Sequence, residues 1–130
     1  MSARLWTVAN LVMLLLFVFA AVVQFNDPDP LAWVAIYLAA ALMCAMEMRR
    51  TTPIWAPAIV AAIALAWSGY IATRALDVPI GTLFAEWEMR NIRVEEAREM
   101  YGLAIVGTWM LVIAGVRLAR KPAISTKPRP

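Results

Sequence analysis

Residues 6–50 read WTVANLVMLLLFVFAAVVQFNDPDPLAWVAIYLAAALMCAMEMRR: two apolar runs joined by an acidic, proline-punctuated turn. The first run, 6–25, carries no charge, and its polar members are only Thr7, Asn10 and Gln24. A helix needs about 20 residues, at 1.5 Å each, to cross a hydrocarbon core about 30 Å thick. This run has that length. The second run is uncharged from Leu31 to Met46 and reaches the same length with Glu47 and Met48 at its end.

The pattern repeats further along. Residues 54–73 are uncharged, and so are 100–116, a run that becomes long enough if its first turn begins near Ala97. Over the 130 residues, 63% are hydrophobic and 16% charged, with a mean hydropathy of +0.70. Soluble domains run at about 45–50% apolar and roughly 25% charged. A soluble core of this size leaves much of its surface exposed and has no use for that much apolar surface. Period-two alternation, the mark of a membrane barrel strand, is absent, and helices are the other way to satisfy a backbone in lipid.

The expected fold is therefore all-α: a membrane-embedded antiparallel four-helix bundle with spans near 6–25, 31–48, 54–74 and 97–118. A short amphipathic external segment, about 77–96, precedes the last span. Residues 1–118 form one domain, and 119–130 are a loose basic cytoplasmic tail. The first run starts after Arg4, as a secretory signal would. Its length and the lack of a small-x-small cleavage site favour a retained span.

Basic residues collect on the cytoplasmic side of membrane proteins. One side receives Arg4, Arg49, Arg50, Arg117, Arg120, Lys121, Lys127 and Arg129, eight of the twelve. Eight of the nine acids fall on the other side. Both termini are expected in the cytoplasm. The net charge of +3 is then a topology signal and does not indicate nucleic acid.

Histidine is absent. That removes His-ligated haem or zinc and any Ser-His-Asp or Cys-His machinery, so no cofactor is expected beyond a bound lipid or cation. Cys44 stands alone and reads as a small packing residue.

The polar residues concentrate in two outer segments. In Gln24-Phe25-Asn26-Asp27-Pro28-Asp29-Pro30 the residue before each proline leaves helical angles. Asp29 is placed to cap the second helix, with Pro30 in its first turn. A plain turn explains both prolines and Asp29, and Gln24, Asn26 and Asp27 less well. Trp33 and Tyr37, four apart, share a helix face. They read either as an interfacial aromatic belt or as the lining of a cavity beneath the turn. In the second segment Glu95-Glu96-Ala97-Arg98-Glu99 starts the last span, where carboxylates suit the helix dipole. Glu95 and Glu99 nevertheless share one face near membrane depth, where an unpaired acid is costly.

These motifs resemble the transmembrane protein 220 family. The resemblance rests on Val23 to Pro30 with Trp33 and Tyr37, and on Glu95 to Glu99 with Gly102, Leu103 and Trp109. It covers about Trp6 to Trp109. That family consists of small multi-span membrane proteins with no assigned reaction, so the resemblance implies architecture. It marks Gln24, Asn26, Asp27, Asp29, Trp33, Tyr37, Glu95, Glu96, Arg98 and Glu99 as the candidate polar site. The Ala- and Trp-rich composition points to a bacterial member in the inner membrane.

Three functions are compatible with these residues. The favoured one is a non-catalytic accessory or scaffolding subunit of a larger membrane complex, in contact with lipid and a protein partner or a second copy. Gly107 and Gly115, with Ala104 and Thr108, offer small residues for close helix contact. The alternative is an outer-face site for a cation or lipid head group, built from Asp27, Asp29, Glu95 and Glu99. The third is carboxylate acid–base catalysis centred on Glu99.

Overall fold

A computed structural model describes residues 1–85 and 91–120. Four helices follow one another: α1 (Ala3–Val23), α2 (Pro30–Met48), α3 (Trp55–Ala75) and α4 (Ile92–Ala119). All four are long and apolar enough to cross a membrane. Short 3-10 turns at Gln24–Asn26 and Ile80–Phe84 interrupt the outer connections. No strand occurs among the described residues. The chain is an all-α integral membrane protein with the architecture of a four-helix bundle.

The helix ends follow local chemistry. Ser2 starts α1, its hydroxyl accepting from the Leu5 amide at 3.2 Å. Asn91 starts α4, accepting from the Arg93 amide at 3.0 Å, so the charged run 95–99 lies inside the helix. Asp29 occupies the N-cap position of α2, but its side chain makes no capping bond and is exposed. Proline at the start of α2 has no N–H to satisfy, which lowers the need for that cap.

The inner end of α2 closes differently. The Thr51 amide donates to the Met46 carbonyl and the Arg50 amide to the Glu47 carbonyl, both at 3.0 Å. This pair of bonds is a Schellman closure, which needs a left-handed residue and usually takes glycine. Here that residue is Arg50, at φ 58°.

The bundle is two hairpins. α1 packs along α2, and α3 packs most extensively along α4; the hairpins meet mainly through α2. Membrane helices gain little from hydrophobic exclusion, so small residues and hydrogen bonds decide where they touch. Ala61 and Ala64 on α3 and Leu103, Val106, Met110 and Ile113 on α4 are fully buried. Ser68 donates to the Met100 carbonyl at 2.8 Å across that interface. Gly107 faces the side chain of Leu65, which a Cβ would overlap. Gly115 faces open space, so Gly107 and Gly115 do not form one contact surface. Leu5, Leu15, Phe19, Leu42 and Ile63 point outward, the surface a bilayer would cover.

Candidate functional site

The outer end brings together carboxylates that are far apart in sequence. Asp27, leaving the first 3-10 turn, meets Glu95 and Glu99, one turn apart on α4. One carboxylate oxygen from each lies within 4.8 Å of those from the other two. All three are half-buried. Asp27 Oδ2 and, in the same turn, Gln24 Oε1 are shielded from solvent and accept no hydrogen bond. Acceptor capacity is thus left over where negative charge accumulates.

The other candidates separate from this group. Asn26 and Asp29 are exposed. The expected convergence of Asp29 with the other acids does not occur; Pro28, between Asp27 and Asp29, turns the chain and carries Asp29 outward. Glu96 pairs with Arg74 on α3 at 3.3 Å, and Arg74 also lies over the Tyr70 ring. Arg98 Nε donates to the Leu83 carbonyl at 2.9 Å, pinning the second 3-10 turn to α4. Among the described residues that turn packs on α4 alone. Arg93 pairs with Asp77, and its guanidinium holds the exposed Asp77 carboxyl below the usual carboxylate range. Glu86, Trp87 and Glu88 lie outside the described residues.

Trp33 and Tyr37 face inward and do not form a lipid-facing belt. Trp33 stacks on Trp67 of α3, ring centroids 4.3 Å apart. Tyr37 is buried, with its hydroxyl against Gly102 and within electrostatic reach of Glu99. Both lie on one face of α2, beneath the acidic group.

A second polar cluster, at the inner end, was not singled out from the sequence. Glu47 is almost fully buried in the last turn of α2, where the helix dipole disfavours an anion. Two arginines at the end of α4 offset that cost: Arg117 Nε lies 3.3 Å from one carboxylate oxygen, and Nη1 of Arg120, the C-cap, 3.2 Å from the other. The Trp6 indole N–H donates to the second oxygen at 3.0 Å. Arg117 also donates to the Arg50 and Thr52 carbonyls. Trp6 stacks on Trp109 at 5.8 Å, and the Trp109 indole faces the Cys44 sulfur without a conventional hydrogen bond. One signal was available: Glu47 is the only acid on the basic side, and Arg117 and Arg120 are one helical turn apart.

The profile of transmembrane family 220 matches residues 16–115, which hold both outer segments and most of the bundle. The chain belongs to this family. It is also similar to transmembrane protein 220 of Xenopus laevis, 31% identical over 96% of this chain and 71% of that protein. The likeness inferred from the two outer segments thus extends over nearly the whole chain, and the relative is eukaryotic. No solved structure matches. Membership in transmembrane family 220 brings the membrane-spanning architecture with it and assigns no reaction.

Proposed function

We propose that this protein is a non-catalytic membrane component whose outer end takes up a cation, or the cationic part of a lipid head group, on Asp27, Glu95 and Glu99. The observation that carries this reading is the approach of the three carboxylates to within 4.8 Å. Like charges at that spacing repel by roughly 1–3 kcal/mol per pair, between the limits for water and for a protein surface. A cation removes that repulsion. Oxygen-only ligands suit a hard cation such as calcium, and carboxylates can each offer two oxygens. Arg74 pairs with Glu96 and Arg93 with Asp77, while Arg98 donates to the Leu83 carbonyl; Arg98 and Arg74 offset part of the charge of Glu95 and Glu99. The reading calls for no organic cofactor.

Calorimetric titration of the detergent-purified protein with calcium tests it. Saturable binding that disappears in Asp27→Asn and in Glu99→Gln supports the site. No heat with calcium, and no retained amine-bearing lipid by native mass spectrometry, sinks it.

The accessory-subunit reading has its own support. Between α1 and α4 an open groove of about 280 Å³ is lined by Met13, Tyr101, Ala104, Ile105, Thr108 and Trp109. On α3, Ala62, Ala66, Gly69 and Thr73 fall on one exposed face, with open space at Gly69. Small residues on an outer face permit close approach of another helix, from a partner or a second copy. Gentle purification followed by mass spectrometry decides: a stoichiometric partner supports this reading, and a lone monomer opposes it. The basic residues at the Glu47 end support an orientation with both termini in the cytoplasm.

A further inference from the structure

Arg50 occupies a backbone conformation that L-residues rarely adopt, at a position where glycine serves the helix end better. Its carbonyl is held by Arg117 at 3.0 Å, so the loop is anchored while the side chain stands exposed. Arg49, its neighbour, is exposed as well. Glu47 is the one acid in the sequence at this end, and its carboxylate is taken up by Arg117, Arg120 and Trp6. Arg49 and Arg50 form no ion pair among the described residues. Arg120 shares Glu47 and remains 42% exposed.

We infer that Arg49, Arg50 and Arg120 form a docking surface for the phosphate of an anionic phospholipid head group. The surface lies at the ends of α2 and α4, both long enough to span, and so at the depth of the head groups. Guanidinium groups match phosphate oxygens with paired donors. The Glu47 clamp holds Arg120 and, through Arg117, the backbone of Arg50. A topology signal needs only positive charge and would be served as well by a glycine at 50 with an arginine nearby.

The experiment uses the full chain in mild non-ionic detergent, titrated with phosphatidylglycerol or phosphatidylcholine and read by native mass spectrometry. Phosphatidylglycerol should bind more tightly. Arg50→Gly should weaken it about fivefold, the weight of one basic residue near an anionic surface, with a melting temperature unchanged or raised. Arg49→Gln should weaken it to a similar degree. Equal binding of the two lipids overturns the inference, as does full phosphatidylglycerol binding by Arg50→Gly. A lowered melting temperature in Arg50→Gly makes the side chain structural and overturns it too. Displacement of the lipid by millimolar glycerophosphate would assign the surface to free phosphate and overturn the lipid version.

Discussion

The Tyr37 hydroxyl on α2 sits in the notch left by the missing side chain of Gly102 on α4; a methyl group there would overlap the oxygen. This contact joins the two hairpins directly beneath the acidic group. Overpacking of this kind costs typically about 1–3 kcal/mol. Gly102→Ala should lower stability by that amount in denaturant unfolding of the detergent-solubilised protein. Adding Tyr37→Phe removes the overlapping oxygen and should recover most of the loss. Equal losses in the single and double variants would show that Gly102 matters for another reason.

Glu47 should be the most sensitive charged position in the chain. Removing one partner of a buried ion pair costs about 3–5 kcal/mol, because the other charge stays uncompensated. Glu47→Ala strands Arg117 and Arg120 together, so a loss of at least ~3 kcal/mol is expected. Trp6→Phe removes one hydrogen-bond donor and should cost only about 1–2 kcal/mol. Thermal unfolding of the two variants side by side checks the ranking.

Asp27→Asn should act in the opposite direction. Without divalent cations at pH 8, removing one of three crowded carboxylates relieves two pairs and should stabilise the protein by about 2 kcal/mol. With calcium, the wild type should gain stability and the variant should not. The comparison is a pair of melting curves with calcium and with chelator. A destabilised variant under chelator would mean that the Asp27 carboxylate has a supporting partner.

Acid should loosen the outer segment before the bundle. The Asp77 carboxyl is held low by Arg93, so its contribution is present above the ordinary carboxylate pKa of about 3.9. It is lost as pH falls through the lower folded value. The pair is exposed, so the global melting temperature should move little. The protection factors of the Val78 and Thr82 amides, corrected for the intrinsic slowing of exchange in acid, should fall at low pH, and Asp77→Asn should show the lower protection already at neutral pH.

The candidate site was legible only in part. The Val23–Pro30 turn and the Glu95–Glu99 run were both visible as polar interruptions of an apolar chain. Which members meet was not. Asp27 faces Glu95 and Glu99 while Asp29, two residues on, faces out. Glu96 turns to Arg74 while its neighbour Glu95 turns to Asp27. One residue along a helix is a rotation of about 100°, so adjacent side chains serve different surfaces. Glu47 was passed over because an acid at a span end reads as an ordinary boundary residue, and its partners lie 41 to 73 positions away in sequence.

By itself, the sequence determined how many helices there are, their approximate lengths and where the chain turns. Those features depend on local quantities: the length of an uncharged run against the thickness of a bilayer, and the angles that proline allows. The tertiary structure alone decided the rotation of each helix about its axis and the pairing of the hairpins. Those choices put Trp33 on Trp67, Tyr37 in the Gly102 notch and Glu47 between two arginines. They follow from close packing of small residues and from the cost of leaving a buried charge unpaired. Both are properties of side chains in space, and neither can be read along a single helix.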